Sequence, residues 1–524
     1  GSCHFLQAAG LNILVDCGME QGNDVYENQE LPIAASDVDC ILLTHAHIDH
    51  SGLIPLMYVN GFRGQVYSTS ATAQLCEIML RDSAHIQMFE AEWRNRKAAR
   101  SGGKLKEFVP LYDMDAAVNV CKQFVGCEYD RVYDIAEGIK IRFTDVGHLL
   151  GSASIEVWAT EKTENGDVTE KIVFSGDIGN INKPIIKDPK HVRDADYVVM
   201  ESTYGNRSHG GTPNYVEDLT DIFKRTFERG GNVVIPSFAV GRTQELLYII
   251  RKIKEDNLVG RDFDVYMDSP LAIEATNIFI KNVESCFDDE AVELVRKGIN
   301  PLSFPGLKYA TTGDESKQIN FDPNPKVIIS SSGMCEAGRI RHHLKHNLWR
   351  PECTIVFVGY QAVGTTGRII VDGAEEIKLF GEPIQIKAEI VQLKGSSGHA
   401  DKDGLLCWIN AFDTKPKKVF VVHGEDSVCD EFTECLKEEY GYDAMAPYTG
   451  GSYDLIADRV ISEGVKERKT RRTTSTQRGK TVFDRLVAAG KRLMTVITHN
   501  EGGTNKDLAK FTDQINALCD KWDR

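Results

Sequence analysis

Two rhythms of hydrophobic and polar positions divide the chain. Over roughly the first 200 residues, short apolar runs alternate with turn residues. They predict strands at 11–16, 40–44, 65–68, 139–145, 154–159, 171–175 and 197–201. One helical pattern interrupts them, covering about 71–97, and 94–106 reads as a basic, glycine-containing loop. From about Asn206 strand and helix alternate: 232–236 then 243–255, 264–267 then 273–281, 326–330 then 336–346, with a further strand at 354–358. Such alternation predicts a parallel sheet flanked by helices. Strands return at 384–392 and 418–422. Segment 466–480 is rich in Lys, Arg and Thr and nearly devoid of apolar side chains, so it is expected to be a linker. Apolar spacing predicts helices at 482–496 and 506–522.

Composition narrows the class without fixing it. The 524 residues are 42% hydrophobic and 26% charged, ordinary for a soluble globular protein. No apolar run approaches the roughly 18–20 residues of a membrane span, so no membrane partner is expected. The 13 cysteines are odd in number and scattered, a pattern of buried thiols in a reducing cytoplasm. The chain opens on Gly1-Ser2-Cys3-His4, shows no secretory leader and is expected to lack its native N-terminus. A net charge of −16 argues mildly against a general nucleic-acid binder. Metal-binding acids contribute to that charge, and a basic groove can sit on an acidic protein.

The densest chemistry lies in Thr44-His45-Ala46-His47-Ile48-Asp49-His50, directly after an apolar strand. Residues two apart in extended chain face one way, so His45 and His47 share a side. Asp49 and His50 enter the next element and point elsewhere, an arrangement that suits two adjacent metals. Zinc takes imidazole nitrogen and carboxylate oxygen, and a catalytic site keeps a position open for water. The pair needs further ligands, and polar residues just past strand ends supply candidates: His148 in Gly147-His148, Asp177 in Gly176-Asp177 and His423 in His423-Gly424. Asp16 ends another strand. Each alone is more commonly a turn former or a hydrogen-bonded surface group; the packed turn raises them together.

These residues resemble the metallo-β-lactamase superfamily over roughly residues 1–460. The second half narrows the resemblance to the β-CASP nucleases. The added motifs match Glu201 in Glu201-Ser202-Thr203-Tyr204, His399 in Gly398-His399-Ala400-Asp401, and His423. Pro236 to Arg242 and Ser330-Ser331-Ser332-Gly333-Met334 are also similar to segments of the family's inserted domain. The resemblance implies an α/β fold: a metallo-β-lactamase αββα sandwich (1–205 and 383–460) carrying an inserted parallel α/β β-CASP domain (206–382). Residues 461–524 would form a basic linker and a helical extension, a possible route to a homodimer.

The resemblance further implies a ribonuclease with two Zn2+. His45, His47 and His148 would hold one ion, Asp49, His50 and His423 the other, and Asp177 would bridge. Asp16 would orient ligands. A metal-bridging hydroxide would attack phosphorus, while His399, held by Glu201, would protonate the leaving oxygen; Asp49 counts among the catalytic groups too. In this family a His at the position of His423 accompanies RNA substrates, and DNA-processing members carry an apolar residue there. Arg242, Ser330, Ser331 and Ser332 are weaker candidates for phosphate contact. On their helix His342, His343 and His346 are expected to face solvent, and His85, His191 and His209 to lie on the surface. Two other readings stay open: a non-catalytic RNA-binding scaffold, and a small-molecule (thio)ester hydrolase of the same fold.

Overall fold

The computed structural model describes residues 1–20, 30–100, 108–164, 166–208, 210, 214–393 and 397–467. In the tail it describes 486, 489–490, 493–494, 496–498, 500 and 504–522. The first body is built on two sheets. One has five strands in the order His4–Ala8, Leu11–Val15, Cys40–Leu42, Gln65–Thr69, Phe124–Cys127. The other has seven, in the order Ala444–Met445, Lys418–Val422, Tyr197–Glu201, Gly166–Phe174, Ala153–Thr163, Ile139–Asp145, Val132–Ala136. Alternation along the strands turns Ile13, Val15 and Leu42 of one sheet towards Ile141, Phe143, Ile155 and Val157 of the other, all fully buried. Each such side chain contributes about 1.5–3 kcal/mol on leaving water.

Helices cover the outer faces. Ser70–Arg100 and Met114–Cys121 pack beside the five-stranded sheet. Lys402–Ile409 and Asp426–Glu438 close the other around the buried Trp408 and Phe432. The αββα sandwich is therefore present.

A third sheet of six strands forms the inserted body. Its order is Leu307–Tyr309, Asp264–Asp268, Lys326–Ser330, Val233–Pro236, Thr354–Val358, Glu389–Leu393, with every neighbouring pair parallel. Strands buried on both faces read as continuous apolar runs, as Val233-Val234-Ile235 and Val327-Ile328-Ile329 do.

Several boundaries differ from expectation. The strand expected at 384–392 is two: Glu382–Gln385 forms a hairpin with Glu376–Leu379, and Glu389–Leu393 is the edge of the inserted sheet. Pairing with Thr354–Val358, invisible in local pattern, holds that second strand in the inserted body. The loop expected from Arg94 is helical as far as Arg100; 101–106 lie outside the described residues. So do His209, most of the expected linker and most of the helix expected at 482–496, whereas Asn505–Trp522 is helical. His343 does not face solvent. It is fully buried, its Nε2 2.6 Å from Asp268 Oδ2 and its Nδ1 3.0 Å from Asn320 Oδ1. No described helix is long and apolar enough to cross a membrane.

Candidate metal centre

The sandwich brings its strand ends to one edge. Asp16 follows Leu11–Val15, His45 follows Cys40–Leu42, His148 follows Ile139–Asp145, Asp177 follows Gly166–Phe174, and His423 follows Lys418–Val422. Tight turns aim them. Gly147 and Gly176 have φ of 65° and 59°, the left-handed region that glycine enters without a Cβ penalty. Asp16 (φ 60°) and His423 (φ 52°) occupy that region as non-glycine residues, a strain typical of functional positions. The His45–His50 turn is clamped from below: Cys17 N donates to the His50 carbonyl at 2.7 Å and Ser2 N to the Asp49 carbonyl at 2.8 Å.

Seven predicted residues converge on two adjoining clusters. In the first, His45 Nε2 lies 3.0 Å and His148 Nε2 3.2 Å from His47 Nδ1, and Asp177 Oδ2 is 3.4 and 3.6 Å from the first two. In the second, His50 Nε2 and His423 Nε2 are 3.1 Å apart, Asp49 Oδ2 is 3.4 Å from His423, and Asp177 Oδ1 is 3.2 Å from His50 and 3.4 Å from His423. The two oxygens of Asp177 thus face different clusters.

These atoms fit divalent cations. Four ligands about 2.0–2.1 Å from a tetrahedral zinc stand roughly 3.3 Å from one another, the spacing found here. On three of the rings, those of His148, His50 and His45, a partner marks the outward nitrogen as the one that carries a proton. His148 Nδ1 lies 3.0 Å from the Gly398 carbonyl, which can only accept, so Nδ1 carries the proton and Nε2 does not. His50 Nδ1 donates to Asp16 Oδ2 at 2.7 Å. His45 Nδ1 donates to Thr44 Oγ1 at 3.0 Å, and that hydroxyl donates to Asp16 at 2.9 Å. Buried Asp177 Oδ1 accepts no hydrogen bond, a costly orphan unless a cation completes it.

Electrostatics agree at the first cluster; at His50 burial is outweighed by the Asp177 and Asp16 carboxylates, which carry that imidazole well above its ordinary range. Burial pushes His45 and His148 below the ordinary imidazole range and His47 down to about 3, keeping them neutral and ligand-competent. Asp177 is held well below the usual carboxylate range, against its burial, by the surrounding imidazoles.

His399 stands beside both clusters, 3.9 Å from Asp177 Oδ2 through Nε2 and 21% exposed. Its Nδ1 donates to the Glu201 carboxylate, with oxygens at 3.1 and 3.2 Å. Glu201 is buried and accepts from the Ile178 amide at 2.5 Å. Burial lowers the His399 pKa, but the charges of Glu201 and Asp177 outweigh it and carry the imidazole up to about 9. Two residues on, Asp401 caps Lys402–Ile409 by accepting from Gly404 N, which fixes where the chain leaves the site.

None of the weaker candidates belongs to the clustered ligand atoms. Arg242 pairs with Glu245 in the first turn of Arg242–Glu255. Ser330 is buried and donates to the Asp268 carbonyl at 2.9 Å; Ser331 meets Ser269 Oγ at 2.9 Å, and Ser332 the Ala337 carbonyl at 3.4 Å. His85 and His191 are exposed. Sequence reasoning missed Thr44 and the Gly398 carbonyl. A hydroxyl directly before the first ligand was a readable signal; a backbone carbonyl carries none.

The fold and site define a metal-dependent hydrolase. Family models match a metallo-β-lactamase superfamily domain at residues 5–180, a β-CASP domain at 243–370, and a Zn-dependent metallo-hydrolase RNA specificity domain at 383–447. The chain is similar to Ribonuclease TTHA0252 of Thermus thermophilus, 34% identical over 427 residues that cover 81% of this chain and 90% of that one. It is also similar to transcription termination factor FttA of Methanosarcina mazei, 32% identical over 461 residues (85% of this chain, 68% of that one). FttA of Methanocaldococcus jannaschii is 29% identical over 460 residues, with the same two shares. The chain belongs to the β-CASP family of the metallo-β-lactamase superfamily.

Proposed function

We propose that this protein is a ribonuclease that hydrolyses RNA phosphodiester bonds with two zinc ions. His45, His47 and His148 would hold one, Asp49, His50 and His423 the other, and Asp177 would join them. The observation that carries this reading is the divided Asp177 carboxylate, one oxygen turned to each histidine cluster, with a protonated imidazole at its shoulder. Two cations held there supply Lewis-acid charge for a phosphoryl group and make water acidic enough to act near neutral pH.

The chain's own residues do the rest. Asp16, Thr44 and the Gly398 carbonyl fix the tautomers of His50, His45 and His148 so that Nε2 of each would present a lone pair to a cation. His399 holds a proton on Nε2, the nitrogen turned toward Asp177, and delivers it to the departing oxygen, a strong base that otherwise leaves slowly. Glu201 keeps the ring oriented and charged. RNA as substrate is supported by the relatives' names, by the RNA specificity domain and by His423 at the family's last motif.

The test is incubation of purified protein with 5′-labelled and internally labelled RNA, with and without chelator, beside His399→Ala. Cleavage that needs metal and falls about 100-fold or more in the variant is expected. Full activity in that variant removes His399 from the mechanism. Metal binding without RNA cleavage favours a scaffold, and turnover of a thioester but not RNA favours the small-molecule reading.

A further inference from the structure

Three charged side chains that neither ligate metal nor face His399 meet where the inserted body abuts the first. Glu245, in the first turn of Arg242–Glu255, is buried. Its Oε1 receives Lys183 Nζ at 3.1 Å and its Oε2 receives Arg242. Lys183 lies six residues beyond Asp177, and its ammonium also donates to the carbonyl oxygen of His148 at 3.2 Å. The same helix start presses on that turn: a Cβ on Gly241 would stand 3.1 Å from Leu149 Cδ1. The loop carrying Lys183 is gripped further on, where Asp288 N donates to the Ile185 carbonyl at 2.7 Å and Lys187 Nζ to the Ser285 carbonyl at 2.7 Å.

A continuous path of contacts therefore runs from the inserted helix through Glu245 and Lys183 to the backbone of a candidate ligand. Ions buried this way are poor stabilisers, because desolvation offsets their attraction and an apolar replacement serves as well or better. What they do supply is direction. The ammonium donates to two acceptors at fixed positions, one in each body, and thereby sets the His148 carbonyl relative to the inserted helix. Within the first body the turn is held by His148 N and Leu149 N donating to Ser152 Oγ at 3.0 and 3.1 Å and by the His148 ring donating to Gly398; the Lys183 ammonium links its backbone to a carboxylate of the inserted body.

We propose that Lys183 and Glu245 are positioning residues for the metal centre: docking of the inserted body sets the His148 backbone through the Lys183 ammonium, and cation retention at His45, His47, His148 and Asp177 depends on that contact. This rests on the reading of those four as metal ligands.

The experiment compares wild type, Lys183→Met, Glu245→Gln, the double variant and Lys183→Arg. It measures zinc retention against a chromophoric chelator, apo-protein unfolding in urea, and kcat and KM on RNA. Each of the first two variants is expected to retain zinc about 10–100-fold more weakly, the range for groups that orient ligands. The double variant should be no worse than Lys183→Met, because both act on one contact. The fall should appear in kcat with KM changed less than threefold, and Lys183→Arg should recover most of it. Glu389→Gln, on the edge strand of the inserted sheet, removes the partner of Arg225 and Arg229 and should retain zinc like wild type. Wild-type zinc retention in folded Lys183→Met overturns the proposal, as does additive loss in the double variant. Should Lys183→Met fail to fold, Glu245→Gln decides: wild-type zinc retention in that variant overturns the proposal, and Lys183→Arg is expected to stay near wild type. Absence of bound transition metal in the wild type would instead overturn the metal-centre reading itself.

Discussion

At the scale of single residues, the site works by committing one side of each group so that the other is free. Asp16 spends its oxygens on the Thr44 amide and hydroxyl and on His50 Nδ1, and so never competes for a cation. Glu201 does the same for His399. An acid must be protonated to act, so activity is lost as pH rises through its pKa. Burial alone would place that loss below neutrality; the negative charges of Glu201 and Asp177 move it up to about 9. If Asp177 holds cations as proposed, Glu201 is the support that remains. Glu201→Gln keeps the shape and removes the charge. The expected outcome is a pH–rate profile whose alkaline limb moves to lower pH and a kcat about 10–100-fold down at neutral pH, with zinc retention unchanged. An unmoved alkaline limb would show that another group supplies the proton.

At the scale of elements, function depends on strands that stop at one edge and turns that fit closely beneath it. A Cβ on Gly18 would stand 1.5 Å from the Asp49 carbonyl oxygen and 2.2 Å from its carbon, backbone that cannot move without dragging the ligand turn. Gly18→Ala is expected to cost about 3 kcal/mol or more in urea unfolding and to weaken zinc retention. Gly313→Ala, with open space around it, should change stability by less than about 0.5 kcal/mol. The strand ends and the His45–His50 turn were legible because burial writes apolar runs into sequence and ligands follow them directly. The run 384–392 was not, because a hairpin arm and a sheet edge carry the same local pattern and only long-range pairing separates them. His343 was misread for a related reason. Helical period places it beside His342 and His346, but its neighbour Asp268 lies 75 residues earlier, and a buried His with a carboxylate partner looks like a polar surface residue until that partner is known.

At the scale of the whole molecule, the two bodies face each other across the reacting edge. Asp49, Thr203 and His423 of the first body and Met334, Tyr360 and Thr365 of the inserted one line one broad groove, which continues over the first body past Ala159 and Tyr453. The wall beyond His423 carries Glu425, Asp426 and Asp430, so phosphates gain little along that wall. Contacts to bases and sugars must then carry much of the grip, with half-exposed Tyr360 a stacking face on the inserted side. Such contacts accumulate with each nucleotide held; grooves for single strands engage roughly 4–16. Across single-stranded RNAs of two, four, eight and twelve nucleotides, kcat/KM is expected to climb at least tenfold, about 1.4 kcal/mol of added transition-state binding, before levelling off. The rise should survive moderate salt, because few phosphate–lysine contacts contribute to it. A dinucleotide cleaved as efficiently as the twelve-nucleotide RNA would mean that the enzyme reads one bond and that the second wall of the groove takes no part in holding substrate.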